Sequence, residues 1–174
     1  MRHPLRELAI GALMRVQRLL NSTNDRALRA SLGHCGRNVV IRQPAVIETP
    51  QYVFIDDDVS IASFLHIWGN AGVRIGSRTM IASHVAIATA THDPDAIDMY
   101  RSLVEYPVVI EHDVWIGAHA VIMPGVRIGA HSIVAAASVV RHDVAAGTIV
   151  AGVPARYLRQ RGPFNDRVQR ASVD

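Results

Sequence analysis

Aromatic residues are scarce in this chain: they make up 5% of its 174 residues, whereas hydrophobic residues make up 49%. With so few rings, the core must be filled mainly by isoleucine, valine and alanine, which suits a narrow interior. The length is enough for one domain, or for one domain with a small appendage. The composition therefore favours a slender core of small aliphatic side chains.

The chain also has a single cysteine, no long apolar run and a small net charge. The one cysteine, Cys35, has no partner for an intrachain disulfide, which favours a reducing compartment, and we interpret it as a small core residue. No apolar run approaches membrane-spanning length, and a net charge of +3 is too small to indicate a nucleic-acid-binding protein. We therefore expect a cytoplasmic protein without a nucleic-acid partner.

What the chain does contain is a six-residue repeat, which is clearest in its second half. A β-branched aliphatic residue returns at every sixth position, and Ala146 closes the series. The positions are Ile110, Ile116, Ile122, Ile128, Val134 and Val140. A period of six fits neither an amphipathic helix nor an alternating strand, but it is typical of a parallel β-helix. Three hexapeptides make one triangular coil, in which the aliphatic residue points inwards and the small residue that often follows it lets the corner turn.

The repeat starts earlier with a run made entirely of isoleucine. The positions are Ile41, Ile47, Ile55, Ile61, Ile67, Ile75, Ile81 and Ile87. All steps are six residues except two of eight, so two early coils are predicted to carry extra residues at a corner. These bulges are expected at Pro50-Gln51 and at Asn70-Ala71-Gly72. The β-helix is predicted to span residues 34–155.

The six-residue repeat stops after Ile87 and resumes at Ile110, which leaves residues 88–109 as an insertion. A solenoid accommodates such an insertion as a loop on its outside, and such loops commonly build the binding face. We therefore expect this loop to be catalytic, and it contains His92 followed by Asp93 and Asp95.

The other histidines are expected to be surface imidazoles, with His66 a weaker candidate at a coil corner. The surface set is His34, His84, His112, His119, His131 and His142. A neutral imidazole suits proton abstraction near pH 7, so His92 is the candidate general base.

The two termini are predicted to be helical. Residues 1–33 are predicted as an N-terminal helical region, with helical periodicity from about residue 4 to residue 32 that is interrupted at residues 21–24. A second short helix is expected from Asp25, and Gly33 would end it. We expect this region to cap the open end of the β-helix, or alternatively to lie as a basic amphipathic helix on an acidic membrane surface or a partner enzyme. Val153-Pro154 ends the repeat, and residues 156–174 are predicted to form a short helix and a frayed tail.

Several motifs of the repeat resemble those of the hexapeptide-repeat acyltransferases. They are Trp115-Ile116-Gly117, Met123-Pro124-Gly125-Val126, Ile128-Gly129 and Ala151-Gly152-Val153-Pro154-Ala155-Arg156. The resemblance covers about residues 39–159 and implies an all-β fold, a left-handed parallel β-helix. It also implies a homotrimer whose active sites lie between subunits.

The stretch Ala88-Thr89-Ala90-Thr91-His92 resembles the segment that bears the catalytic histidine of the galactoside and maltose O-acetyltransferases. The resemblance implies that His92 is the general base, that acetyl-CoA donates the acetyl group and that no metal is required. The spacing from Gly36 to Ile55 is closer to that of O-acetyltransferases that modify cell-surface polysaccharides. The expected acceptor is therefore a sugar hydroxyl in polysaccharide biosynthesis.

The binding residues of the family carry over onto particular positions of this chain. The positions implied to bind the cofactor are Trp115, Ala118, Ala136, Arg141, Arg156 and Arg159. Trp115 is expected beside the site of a neighbouring subunit, or simply packed at the interface. For the acceptor, the family's aspartate falls on Asn70 but its asparagine falls on Ala62. Asp93 and Asp95 are also expected to contact the acceptor.

Two other functions compete with acetyl transfer. The same scaffold carries zinc enzymes like the γ-type carbonic anhydrases, whose three histidines converge between subunits; here His84, His112 and His119 would have to do so. A β-helix can also be a non-catalytic binding subunit. The spacing of these histidines does not resemble the ligand pattern of the zinc enzymes, and the histidine within the insertion favours an enzyme over a binding subunit.

Overall fold

The computed structural model describes residues 4–162, which form a long helix followed by a β-solenoid of about six turns. The helix is α1 (Pro4–Ser31). The first coil contains β1 (His34–Cys35), β2 (Val40–Ile41) and β3 (Ala45–Glu48); the second contains β4 (Val53–Ile55), β5 (Ser60–Ile61) and β6 (Leu65–Trp68); the third contains β7 (Val73–Ile75), β8 (Met80–Ile81) and β9 (Ala86–Ala88).

The chain then leaves the solenoid and returns to it for the later coils. The excursion consists of β10 (Ala90–His92), a 3₁₀ turn (Met99–Arg101) and β11 (Leu103–Glu105). The fourth coil contains β12 (Val108–Ile110), β13 (Trp115–Ile116) and β14 (Val121–Ile122); the fifth contains β15 (Arg127–Ile128), β16 (Ile133–Val134) and β17 (Val139–Val140). The last strands are β18 (Thr148–Ala151) and β19 (Arg156–Gln160).

The strands stack into three parallel sheets, which form the sides of a triangular prism. Sheet 1 has the order β1-β4-β7-β12-β15, sheet 2 the order β2-β5-β8-β13-β16-β18 and sheet 3 the order β3-β6-β9-β14-β17. The repeat isoleucines lie in register, as in the pairs of Ile61 with Ile81 and of Ile67 with Ile87. All eight are buried, so the predicted inward stack is confirmed.

The closing position of the series differs from the prediction. Ala146 is exposed, and Val144 is buried instead and bridges to Ile128 in the coil below. The last coil reaches sheet 1 two residues early, so the aliphatic side chain two positions before Ala146 fills the interior.

Glycines after the inward residue serve a different purpose from the one predicted. A Cβ on Gly117 would lie 2.4 Å from the backbone nitrogen of Ala136, and one on Gly129 would lie 2.5 Å from that of Ala146. Neither glycine has a positive φ. The corners turn instead through side-chain-bearing residues in the left-handed region, such as Asp58 with φ 62°. These glycines are needed because successive coils pack too closely for a side chain.

Gly117→Ala is therefore expected to destabilise the fold by about 3 kcal/mol, since the new methyl group meets backbone that cannot move aside cheaply. Gly162→Ala is the matched control, because a Cβ there would meet nothing within 4 Å. Thermal unfolding of both variants measures the effect. Equal melting temperatures would contradict the close-packing explanation.

The corner bulges and the insertion are ordered. A 3₁₀ turn, Pro50–Tyr52, occupies the first predicted bulge, and Gly72 turns the second with φ 100°. The insertion was predicted as a loop, but β10 and β11 pair antiparallel as a hairpin, with His92 opposite Leu103. The hairpin leaves the prism where sheet 3 ends and sheet 1 begins.

α1 is one continuous helix, so the predicted break at residues 21–24 is wrong. The hydroxyls of Ser22 and Thr23 donate to the Leu19 carbonyl at 2.8 and 2.9 Å, and Asp25 pairs with Arg29 at 2.8 Å. These local bonds satisfy the polar side chains without ending the helix. No helix among residues 4–162 is long and apolar enough to span a bilayer.

The predicted C-terminal helix is also wrong where the structure describes it. Residues 156–160 form β19, which pairs antiparallel with β18. Without β19, β18 would present an unpaired edge at the end of sheet 2, and an added strand covers that edge. The remainder of the predicted helix and tail, residues 163–174, lies outside the described residues.

Candidate active site

A cavity of about 380 Å³ lies at the base of the hairpin. Its walls come from β6, the bulge after β6, β9 and the two hairpin strands. The lining residues are Trp68, Asn70, Ala88, Ala90, Thr91, His92 and Leu103. The cavity therefore unites two residues predicted from sequence, His92 and Asn70, with others that were not.

The imidazole of His92 is oriented by the turn of its own hairpin. Its Nδ1 lies 2.7 Å from the backbone carbonyl oxygen of Met99. Because a carbonyl only accepts hydrogen bonds, Nδ1 carries the proton in this arrangement and the lone pair of the neutral ring is on Nε2. The hairpin thus holds the tautomer that a general base at Nε2 requires.

The predicted acceptor ligands Asp93 and Asp95 do not line the cavity. The Asp93 carboxylate accepts the Asp95 amide at 3.0 Å, and the Asp93 amide donates to the Ser102 carbonyl at 3.0 Å. These bonds close the turn that carries Met99. Asp93 therefore supports the shape of the hairpin in this structure, and Asp95 is exposed at its tip.

Asn70 is well placed to bind a polar ligand. The Thr49 hydroxyl donates towards the Asn70 Oδ1 at 3.2 Å and shares this proton with the Glu48 carbonyl, which lies 2.6 Å from the same hydroxyl. The Asn70 NH₂ group has no partner among the described residues. One end of the amide is thus positioned by its neighbour, while the other is available for a ligand.

Trp68 was not identified from the sequence. It is 40% exposed, lines the cavity and stacks on His66 with ring centroids 3.7 Å apart. The His66 Nε2 is buried without a partner among the described residues, so this ring serves as packing behind the indole. The alternation along β6, with Leu65 and Ile67 buried, is the signal that places Trp68 on the outer face beside Asn70.

The residues predicted to bind the cofactor lie elsewhere on the prism. Trp115 is on the outer face of sheet 2, paired with Met80 and Ile133. Ala118 and Ala136 stack at the corner between sheets 2 and 3, where the Ala137 amide donates to the Ala118 carbonyl at 2.8 Å. This corner is not the one that bears the hairpin.

The three predicted arginines are all exposed. Arg156 and Arg159 lie on β19, at the end of sheet 2, and have no carboxylate partner within residues 4–162. Arg141 follows β17 at the corner between sheets 3 and 1, the same corner as the hairpin. A single chain therefore does not gather the predicted cofactor residues around His92.

The histidines of the zinc alternative do not converge in one chain. His84 and His119 stack at 4.6 Å on the corner between sheets 2 and 3, whereas His112 lies at the corner between sheets 1 and 2. His112 belongs instead to a cluster with Asp113 and His131 that has the residue types of a metal site. In that cluster the Arg78 guanidinium already binds both carboxylate oxygens of Asp113, at 2.7 and 2.5 Å.

This ion pair makes a testable contribution to stability. The Arg78 hydrogen bonds hold the pKa of the Asp113 carboxyl well below its usual value, with His112 adding to the effect. Because the folded-state pKa is the lower one, the pair stabilises the fold above about pH 4 and the stabilisation is lost as the pH falls further.

Asp113→Asn is expected to lower the melting temperature by a few degrees at pH 7 and pH 5, with the difference from wild type narrowing at pH 3. The exposed Asp95, changed to Asn, is the control and should have little effect at any of these pH values. A deficit in Asp113→Asn that grew towards pH 3 would contradict the assignment.

Comparisons with known proteins agree with the repeat and with the fold. Residues 107–142 match the family model "Bacterial transferase hexapeptide (six repeats)". YJL218W of Saccharomyces cerevisiae, which bears the name of an acetyltransferase, is 37% identical over 140 residues, covering 78% of this chain and 70% of the yeast protein. The galactoside O-acetyltransferase of Escherichia coli is 33% identical over 135 residues, covering 73% of this chain and 64% of that enzyme.

Among solved structures, the hexapeptide-repeat acetyltransferase VCA0836 of Vibrio cholerae, complexed with acetyl coenzyme A, is 34% identical. It superposes with a TM-score of 0.76 and covers 82% of this chain and 78% of its own. The similarity in sequence and in fold therefore extends over most of the chain. The chain belongs to the hexapeptide-repeat acetyltransferase superfamily and, with it, to the CoA-dependent acetyltransferases.

Proposed function

We propose that this protein transfers the acetyl group of acetyl-CoA to a sugar hydroxyl, on a left-handed coil and in the cytoplasm, with His92 as general base. The observation that carries the proposal is the bond between His92 Nδ1 and the Met99 carbonyl, which leaves Nε2 as the basic atom. His92 lines a cavity together with the amide of Asn70 and the indole of Trp68. An amide can form hydrogen bonds with sugar hydroxyls, and an indole can pack against the apolar C–H face of a sugar ring.

In this mechanism the acceptor hydroxyl gives its proton to Nε2 as its oxygen attacks the thioester carbonyl. The new C–O bond forms, the C–S bond breaks, and the imidazolium returns the proton to the CoA thiolate. Backbone amides would stabilise the oxyanion, and binding both substrates in one cleft supplies proximity. Cys35 is half-buried, packs against the core and does not line the cavity, so no acyl-cysteine intermediate is invoked.

Two observations support an acceptor other than a simple galactoside. Ala62, which stands where the family has its acceptor-binding asparagine, does not line the cavity. Trp68 instead presents a broad apolar surface beside Asn70. We propose a pyranose unit of a cell-surface polysaccharide precursor, which offers an apolar face for the indole and hydroxyls for the amide and imidazole.

The cofactor site is proposed to lie between two chains of a homotrimer. Ala118 and Ala136 would contact the pantetheine arm along one corner, while His92 comes from a different corner of the neighbouring chain. Arg156 and Arg159, which have no carboxylate partners among the described residues, would bind the nucleotide phosphates. Trp115, 48% exposed on sheet 2, would lie at the boundary between the subunits.

Complementation tests this arrangement. We expect His92→Ala and Ala118→Trp to be inactive separately, the first for lack of a base and the second because the indole blocks the pantetheine path. In hybrid trimers from co-expression, random mixing restores about one quarter of the sites if each site uses His92 of one chain and Ala118 of another. Hybrids without activity would place both groups of each site in the same chain.

The acceptor is tested by measuring CoA release with purified protein. Separate reactions contain acetyl-CoA with galactosides or maltose, with nucleotide sugars, or with lipid-linked oligosaccharides. Faster CoA release with a sugar than without one supports the proposal, and the best substrate defines the acceptor class. Release that no sugar accelerates would contradict sugar O-acetylation, and a complete lack of acetyl-CoA turnover would favour a non-catalytic binding subunit.

A further inference from the structure

α1 carries an apolar face that no described part of the solenoid covers. Leu13, Val16, Leu19 and Leu20 are 71%, 53%, 67% and 55% exposed. At 100° per residue these four side chains lie within an arc of about 120°. They form one continuous stripe along the helix, and a stripe of this size on a soluble surface indicates an interaction site.

Among the side chains that the structure describes, those of α1 and the following residue that pack against the solenoid core lie at the C-terminal end of the helix. Leu28 and Leu32 pack against the core, and the end of α1 meets the 3₁₀ turn Pro50–Tyr52. At a rise of 1.5 Å per residue, Leu13 lies about 22 Å along the helix from Leu28. The apolar stripe is therefore carried away from the prism.

The positive charge of the protein is concentrated in this same region. Residues 1–33 contain six arginines and two acidic residues, a net charge of +4, whereas residues 34–174 contain twelve arginines and thirteen acidic residues, a net charge of −1. Arg15 and Arg26 are exposed and fall beside the apolar arc. An apolar stripe bordered by cations is complementary to an anionic surface with an apolar interior.

We propose that α1 lies in the plane of an anionic lipid bilayer. Leu13, Val16 and Leu20 would enter the boundary between headgroups and acyl chains, and the arginines would bind lipid phosphates. The helix would rest on the bilayer without crossing it, which agrees with its lack of a spanning segment. This inference does not depend on the proposed acetyl transfer.

A second copy of α1 is a poorer occupant of the stripe. Helices that each carry five arginines and two acidic residues, a net charge of +3, repel one another when packed side by side. The stripe also spans too few turns for the three or four heptads that a stable coiled coil needs. Binding of α1 to an anionic bilayer is instead favoured both by its positive charge and by its apolar side chains.

Sedimentation of the full-length protein with vesicles tests the proposal. We expect binding to equimolar phosphatidylglycerol and phosphatidylcholine, weak binding to phosphatidylcholine alone, and at least a tenfold loss between 0.1 and 0.5 M NaCl. Leu20→Gln should lower the partition coefficient about tenfold, because the lost leucine no longer enters the bilayer. Ser22→Gln, on the opposite face of the same turn, should change it by less than about twofold.

The outcomes separate the bilayer from the alternatives. An equal loss of vesicle binding in Leu20→Gln and Ser22→Gln would overturn the proposal. Vesicle binding that does not depend on lipid charge or on salt concentration would also overturn it. Wild-type protein that stays in solution, combined with an altered oligomeric mass in Leu20→Gln, would instead assign the stripe to contacts between copies. Circular dichroism of both variants shows whether α1 is intact, and His92→Ala, which leaves α1 unchanged, should bind vesicles like the wild type.

Discussion

Replacing His92 with Ala is expected to lower kcat for acetyl transfer by about two to four orders of magnitude, because the attacking hydroxyl loses its proton acceptor. The KM for acetyl-CoA should change little, since all the predicted cofactor contacts except Arg141 lie away from the corner that bears the hairpin. Steady-state kinetics with the best acceptor measures both constants.

Two controls make this result specific to proton transfer. His142 is exposed after β17 and is outside the cavity, so His142→Ala should retain full activity. Added imidazole should partly restore His92→Ala, because truncation leaves space where a free base can bind beside Thr91 and Leu103. A kcat within threefold of the wild type, or equal loss in both alanine variants, would remove His92 from the mechanism.

The second large effect is expected at Trp68. Trp68→Ala should lower kcat/KM for the sugar acceptor about thirtyfold, which corresponds to about 2 kcal/mol, because the indole supplies the apolar wall of the cavity. Most of the loss should be in the acceptor KM, while acetyl-CoA hydrolysis without acceptor stays at the wild-type rate. Kinetics measured with the acceptor and acetyl-CoA concentrations varied separately distinguish a change in the acceptor KM from a change in the use of acetyl-CoA.

Trp68→Phe is the matched variant, since it keeps a flat aromatic surface and should recover most of the acceptor affinity. His66→Phe should retain stacking behind Trp68 and also remain active, because the His66 Nε2 makes no hydrogen bond among the described residues. A Trp68→Ala enzyme with an unchanged acceptor KM would show that the sugar binds elsewhere.

The period of six was sufficient to predict the solenoid. Eight isoleucines at steps of six or eight are all buried, and both eight-residue steps correspond to corners with extra residues. Such a pattern is reliable because each coil repeats the same environment, so the same spacing of buried residues must hold in every coil. The interruption after Ile87 also predicted an outgrowth from the prism, which the structure shows as the hairpin that carries His92.

The errors occur where the repeat ends or where polar residues can be satisfied in two ways. Ser22 and Thr23 resemble a helix break in sequence, yet their hydroxyls bond to the Leu19 carbonyl inside α1. Residues 156–160 have no strong periodicity and become a strand only because β18 presents an open edge. Val144 replaces Ala146 in the core because the last coil is two residues shorter.

Local pattern was enough for the coil, its inward side chains and the histidine within its outgrowth, because each depends on spacing along the chain. Three features required the folded molecule: the Met99 carbonyl that orients His92, the packing of His66 behind Trp68, and the separation of Ala118 from the hairpin. The first depends on a turn that brings a carbonyl to the ring, the second on two side chains that share the outer face of β6, and the third on the path of each coil around the prism. No periodicity in the sequence records those distances.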